Sequence, residues 1–445
     1  MNKLHALNEE RLREAEAHLD ATRRKHAAAR PPALTGYPLP HLKERITTAL
    51  SDSWGQGRLQ VQFDIIERQG FGGDIALKFP QLLGNGGPRA FASDHLPWIA
   101  SRLSESDFED VIERVDKAGM YVNLTLADTW FRTGARALVG HGDDFGRNDS
   151  LSGATIVVDY SSPNVAKSLH AGHIRSTIVG HVLSNLYEAA GALVYRVNHV
   201  NDFGGFGFVL EGWRRFGTSF PTEFSDNDKL LEVYRVRRTA ERVLASECTW
   251  DDVSAQDREL LSRYFPDVNG LDTFRASFND FTSHANERFA RLEAGDEDEV
   301  DLWAQLVMVS LRDFDSFYDA LNIRFDFVLG ESFYYEAGDT VVEACLASGQ
   351  AKVFTEADVA AEVERLDGEL AAGKITTGEY RTFIASAEKD TGAVVVPLDD
   401  GVRFIVRRSD GRSIYATRDL GAVQLRREVF GATDMIYVVG QEAYS

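Results

Sequence analysis

His170 and His173 stand three residues apart, with Ala171 and Gly172 between them, in the stretch SSPNVAKSLHAGHIRST from Ser161 to Thr177. Three chemistries are open to such a pair. A zinc site wants three or four donors, and no cysteine or HExxH partner lies nearby. A pair of core histidines is an ordinary outcome for any isolated HxxH. Phosphate handling fits the surroundings better, because the pair follows the apolar run ATIVVDY and opens a helical run. That is the carboxyl end of a strand where a helix begins, the place where doubly wound sheets bind ligands. A helix N-terminus offers free N–H groups and partial positive charge to a phosphate. Gly172 lets a ligand approach the backbone without a Cβ in the way. Two imidazoles add donors for oxygens that gain charge in a transition state.

Rival phosphate loops fail on context. GELAAGKI (Gly368–Ile375) has the glycines and lysine of a P-loop, but Ile375 replaces the metal-binding Ser or Thr, and the segment reads as helical. The glycines of FGGFG (Phe203–Gly207) have the wrong spacing for a dinucleotide fingerprint.

The elements around the histidines are consistent with this placement. ATIVVDY is a short buried-type strand, STIVGHVLSNLYEAAG continues a helix and ALVYRVN is a second strand, so the three form a βαβ unit with a parallel sheet and a right-handed crossover. Upstream, residues 2–29 lack Gly and Pro and predict a mostly polar helix outside the main core. RPPALTGYPLP breaks it. From Leu42 to about Leu138 the patterns predict a small α+β unit, in which SDFEDVIERVDKAG has helical spacing and MYVNLTLAD alternates as a strand. The turn-rich GHGDDFGRNDSLSG is a hinge. A long helical region ends in the stripe Val307, Leu311, Phe314, Tyr318 and Leu321, with the acidic run EAGDEDEVD marking that helix's start. The boundaries expected are 1–30 for the helical extension, 40–140 for the α+β domain, and 152–445 for an α/β domain with a helical insertion at about 210–325.

The 445 residues carry 48 basic and 69 acidic side chains, a net charge of −21, which argues against generic coating of nucleic acid. A shaped RNA partner could still meet a local basic patch; Arg235, Arg237 and Arg238, and Arg426 with Arg427, are such clusters, whose plainer reading is a solvated helix face. Cys248 and Cys345 are too few for a disulfide framework, and no run reaches the length of a membrane span, so the expected location is cytoplasmic.

SSPNVAKSLHAGHIRST resembles the signature of the class I arginyl-tRNA synthetases, with HAGH in place of their HIGH motif. VNHVNDFGGFG, FARLEAGDEDEVDLW, FDFVLGESFY and SDGRSIYATRDLGA resemble further family blocks in the family's order, and FGGDIAL and KAGMYVNLTLAD resemble its N-terminal tRNA-contacting domain. The resemblance implies a Rossmann-type α/β catalytic domain: a doubly wound parallel sheet with helical insertions, preceded by a small α+β domain and an N-terminal helix. It implies ATP-dependent activation of L-arginine to arginyl-adenylate and transfer to tRNA(Arg), with ATP as substrate, Mg²⁺ as its companion ion, no protein metal site and no membrane. His170, Gly172 and His173 would bind ATP, with the two histidines and Lys167 acting in catalysis. Asn164 matches an asparagine that holds the substrate's α-amino or carboxylate end. Asp159 stands where the family usually has Glu, and Tyr415 and Asp419 match residues lining the arginine pocket. In GQEAYS a glutamine that normally helps bind arginine aligns with Ala443, and Gln441 lies close enough to substitute.

Three local departures accompany the resemblance. The aspartate-tryptophan-glycine stretch reads Asp202-Phe-Gly-Gly-Phe-Gly, Asn201 replaces a glycine, and the glutamine is shifted. The chain is also expected to lack the KMSKS-type lysine loop and the helical anticodon-binding domain. That leaves open a truncated paralogue acting on an amino acid outside translation, or a non-catalytic subunit completed by a second chain.

Overall fold

The computed structural model describes residues 3–29, 31–67, 72–82, 87–167, 169–246, 249–398 and 403–440. Two compact units result, one made of Ala27–Gly153 with Leu186–Ala192 and the other of Met1–His26, Ala154–Asn185 and Leu193–Ser445. The chain begins with α1 (Lys3–Ala28).

In the smaller unit, α2 (Pro38–Trp54) starts on a proline, which costs nothing where the N–H groups are free, and stops at Gly55 in the left-handed conformation. β1 (Gln62–Ile65), β2 (Ile75–Lys78), α3 (Gly87–Asp94), α4 (Leu96–Leu103), β3 (Ile112–Ala118), β4 (Tyr121–Leu126) and α5 (Asp128–His141) follow. The sheet is antiparallel in the order β1-β2-β4-β3. Ile46 and Leu50 of α2, Ile99 of α4 and Leu77, Val122 and Leu124 of the sheet share one core. The segment with the helical spacing of SDFEDVIERVDKAG forms β3 instead. β4 supplies a ladder of partners across the Gly119–Met120 turn, with one bulge between Ile112 and Arg114 and with Gly119 at φ 65°, and this pairing overrides the local period.

The larger unit contains β5 (Thr155–Asp159), α6 (Ala171–Ala189, as far as Asn185) and β6 (Leu193–Val200). Helices α7 (Gly207–Phe216), α8 (Asp226–Ala245), α9 (Ala255–Tyr264), α10 (Leu271–Glu293) and α11 (Glu297–Ala320) then lead to β7 (Phe327–Gly330). α11 is capped by Asp296, whose carboxylate accepts from the Glu299 amide. After α12 (Tyr335–Ala347), a small antiparallel sheet of β8 (Lys352–Val353), β9 (Val394–Pro397) and β10 (Arg403–Arg407) carries α13 (Glu356–Ala371) and α14 (Thr377–Lys389) between β8 and β9. α15 (Tyr415–Glu428) and β11 (Asp434–Tyr437) come last.

The main sheet runs β11-β5-β6-β7 with every pair parallel. The chain proceeds from β5 outward through β6 to β7, then returns to place β11 on the far side of β5. The strand order therefore reverses between β5 and β11, and a ligand cleft opens at such a reversal, outside the carboxyl ends of the strands. Asp159 and Tyr437 are register partners at that point.

α1 packs into this larger unit rather than standing outside the core. Leu4, Asn8, Ala15 and Leu19 are buried, and their spacing of 4, 7 and 4 puts them on one helical face. The helix reads as polar all round because that face is narrow and includes an asparagine.

Candidate functional site

The loop from Tyr160 to Lys167 is bent by Ser161, Ser162 and Ala166, at φ 72°, 47° and 57°. Each left-handed non-glycine residue costs on the order of 1 kcal/mol and persists only where its surroundings over-determine it. Ser161 Oγ lies 2.7 Å from Tyr318 Oη and accepts from Thr177 Oγ1 at 2.9 Å. Ser162 donates from its amide to Asn198 Oδ1 and from its hydroxyl to Asp159 Oδ1, and the Ala166 amide donates to Ser310 Oγ. Strand β6 and helices α6 and α11 thus hold the loop in shape.

This bend brings Asn164 beside Asn201 in a single parallel bridge. Asn201 Nδ2 donates at 2.9 Å to Asn164 Oδ1 and at 2.9 Å to Tyr415 Oη. Asn164 and Tyr415, far apart in sequence, therefore meet through a residue that the sequence reading had singled out only as a departure. Tyr415 is 55% exposed and its own hydroxyl proton is left to donate.

The histidine pair is arranged differently from the expectation of free helix amides. The Gly172 amide donates to His170 Nδ1 at 3.1 Å, and the His170 amide donates to His173 Nδ1 at 3.2 Å. The two imidazoles cap the head of α6 reciprocally, in the manner of a capping box. A backbone N–H always donates, so both Nδ1 atoms are unprotonated acceptors and each neutral ring carries its proton on Nε2. The ring centroids are 4.1 Å apart. Burial, then the adjoining imidazole of His170 and the charge of Lys167, hold His173 below the ordinary histidine value. Gly172 is needed for the cap itself, because a Cβ there would lie 2.9 Å from His170 Cε1.

At the strand reversal the structure assembles a charge cluster. Asp159 is buried with both oxygens engaged: Oδ1 accepts from Ser162, and Oδ2 lies 2.7 Å from Arg426 Nη2 and 3.7 Å from His199 Nδ1. Arg426, read from sequence as a solvated face, is wholly buried between the rings of Tyr334 and Tyr437. Its Nε and Nη1 have no hydrogen-bond partner among the described residues. Arg418 Nε approaches Glu331 Oε2 at 3.0 Å, but off the hydrogen-bond axis, so the pair is a charge contact. Burial pushes the Glu331 carboxyl up to about 8 against the pull of Arg418. Asp419 opens to solvent on one side, yet enclosure by protein and the facing Asp159 charge raise its carboxyl above the usual range. It has no ion-pair partner among the described residues.

Lys167 does not join the histidines. Its Nζ sits 4.6 Å over the Tyr234 ring, in the wall of a cavity of about 490 Å³ shared with Asn164, Arg237, Arg238 and Tyr415. Gln441 lies outside the described residues. Asp202, Glu331, Arg418 and Arg426 belong to the site without having been singled out for it. Two signals could have found them: Asp419 and Arg426 are seven apart on one helix face, and Glu331 directly follows an apolar strand.

The parallel sheet, with its strand reversal and a histidine pair heading the first crossover helix, defines an α/β protein of the class I synthetase kind. The chain belongs to the family described as tRNA synthetases class I (R), catalytic domain, whose model matches residues 137–370, just over half of it. It is 30% identical over 348 residues to an arginine--tRNA ligase of Clostridium perfringens, covering 77% of this chain and 49% of that one. It is likewise 30% identical over 348 residues to the arginine--tRNA ligase of Halobacterium salinarum, covering 74% and 51%. The chain thus spans about half the length of the curated relatives it matches. The fold is similar to that of the crystal structure of arginyl-tRNA synthetase from Plasmodium falciparum, with a TM-score of 0.56 at 18% identity, covering 92% of this chain and 60% of the other. No described helix is long and apolar enough to cross a membrane.

Proposed function

We propose that this chain activates L-arginine with ATP to arginyl-adenylate and transfers the arginyl group to tRNA(Arg), acting in the cytoplasm. The observation that carries the reading is an acid at the open side of the cluster with no ion-pair partner among the described residues. Three carboxyls, of Asp159, Glu331 and Asp419, surround the guanidiniums of Arg418 and Arg426, while Asp202 is held by Ser332. Arg426 is committed to Asp159 and Arg418 to Glu331. Asp419 is left at the open side, one helical turn along α15 from Tyr415. A substrate guanidinium brings the missing cation and planar donors that match a carboxylate. Asn164, with its Oδ1 held by Asn201, turns its amide toward the substrate's α-amino or carboxylate end. Asp159 acts from behind, fixing Arg426 and the Ser162 turn.

In the chemical step a carboxylate oxygen of arginine attacks the α-phosphorus of ATP, and the bond to the bridging oxygen of pyrophosphate breaks. His170 and His173 present Nε2–H donors to phosphate oxygens as charge builds on them, with Gly172 letting both caps form. Lys167 reaches the leaving phosphates by lifting off Tyr234. Among the described residues no three His, Cys, Asp or Glu side chains converge to hold a metal ion, and Mg²⁺ would enter with ATP and neutralise its phosphates. The cavity of Lys167, Arg237 and Arg238, with Tyr234 and Tyr415 as ring faces, suits the terminal nucleotide of the acceptor strand.

Arginine-dependent exchange of pyrophosphate into ATP tests the reading, run with the folded chain, Mg²⁺ and tRNA, with lysine as the control amino acid. Exchange with arginine alone is expected. Absence of exchange, or equal exchange with lysine, removes the proposal.

A further inference from the structure

The polar residues on the inner face of α1 converge on one serine. Asn8 is buried and donates from Nδ2 to Ser332 O at 2.9 Å. Three residues on, Arg11 lays its guanidinium over the Trp303 ring, 5.5 Å from the centroid, and reaches Ser332 Oγ at 3.5 Å, the long end of a hydrogen bond. Ser332 is itself wholly buried and gives both of its donors to one carboxylate. Its amide bonds Asp202 Oδ1 at 2.9 Å and its hydroxyl bonds Asp202 Oδ2 at 2.7 Å. Trp303 Nε1 secures the same residue from the other side, donating to Asp202 O at 2.7 Å.

Asp202 cannot evade this grip. A Cβ on Gly330 would be driven into its carboxylate, so the carboxylate fills the only space glycine leaves. It makes no ion pair within contact range among the described residues. Burial raises it; the two bonds from Ser332 draw it back first, and the charge of Arg11 adds to them.

What this lock holds is the site. Asp202 directly follows Asn201, whose amide bonds Asn164 and Tyr415. Ser332 directly follows Glu331, the partner of Arg418. The Ser332–Asp202 bonds therefore tie together the two loops that carry the cluster, and α1 clamps them from outside. Leu4, Ala15 and Leu19 provide the helix's apolar packing, which leaves Asn8 and Arg11 for the lock.

We infer that α1 is a working part of the catalytic unit, and that Asn8 and Arg11 are positioning residues that hold the Asn201 amide between Asn164 and Tyr415 by way of Ser332 and Asp202. The inference rests on the function proposed above, because its effect is read in arginine activation. Arg11→Met keeps a side chain over Trp303 and removes the charge, whereas Arg11→Lys keeps the charge. In the full chain, Arg11→Met and Asn8→Leu should raise the KM for arginine about tenfold to a hundredfold with the KM for ATP unchanged. Arg11→Lys should recover most of the loss.

Amide hydrogen exchange over 200–204 and 330–334 reads the lock without turnover, and both segments should exchange faster in Arg11→Met and Asn8→Leu. If the native chain shows no arginine-dependent exchange, the functional reading falls and amide protection alone decides the lock. Native arginine KM together with native protection in both variants overturns the inference. Should Asn8→Leu fail to fold, the Arg11→Met and Arg11→Lys pair decides it.

Discussion

His173 is a neutral cap, and its pH behaviour follows from that. Its proton affinity is depressed, so the ring stays neutral below pH 6.5 and is charged only as the pH falls through the lowered value. Protonating Nδ1 would break the bond from the His170 amide. The acid limb of the pH–rate profile for pyrophosphate exchange should therefore lie below pH 6.5, and a limb at or above 6.5 would exclude His173 as its source. Asp419 and Arg426 predict opposite phenotypes from one helix. Asp419→Asn should raise the arginine KM roughly tenfold to a hundredfold, because a hydrogen-bonded charge partner is worth about 1.5–3 kcal/mol, while denaturant stability stays near native. Arg426→Leu leaves the buried Asp159 charge without its closest partner and should cost about 3–5 kcal/mol in denaturant unfolding. The sequence offers Asp419 as a candidate by its motif. It does not identify Arg426, because two adjacent arginines near a helix end look the same whether the face beneath them is water or a strand reversal.

At the scale of elements, close approach decides more than propensity does. β7 passes so near Asp202 that only glycine fits at 330, so Gly330→Ala should lower the unfolding midpoint by an amount worth about 1–3 kcal/mol or more, with arginine activation lost alongside it. Native stability in that variant would show that the strand can move aside. The α11 start was legible, since an aspartate before a run of acids is a local cap signal that needs no tertiary partner. β3 was not legible, because its helical spacing is local and its ladder with β4 is not. The role of α1 was hidden for a related reason. Four inward positions in 26 residues give little periodic signal, and one of the four is Asn8, whose partner lies 324 positions away.

Across the whole molecule, burial sets how stability depends on pH. His199 sits against Asp159 and Arg426, and burial pushes its imidazole down to about 4. Between pH 4 and 6.5 the unfolded chain binds a proton there that the folded chain refuses, so this term stabilises at neutral pH and is lost as the pH falls. The shift amounts to about 3 kcal/mol. Glu331, held up to about 8, titrates in the opposite sense. Comparison with His199→Gln isolates the histidine: the stability advantage of the native chain should grow by about 3 kcal/mol from pH 4 to 6.5, and a flat difference would contradict it. The sequence by itself determined the βαβ core, the histidine-headed crossover helix, the motif order and the family, because strands, helix starts and motif spacings are written within a few residues of one another. Only the tertiary structure decided that the histidines cap each other, that Asp159 is already paired, that Lys167 turns to Tyr234, and that the first helix grips the site through Ser332. Each of these depends on which distant groups share a small buried volume, where an unpaired charge or donor is costly, and that depends on how the chain closes on itself.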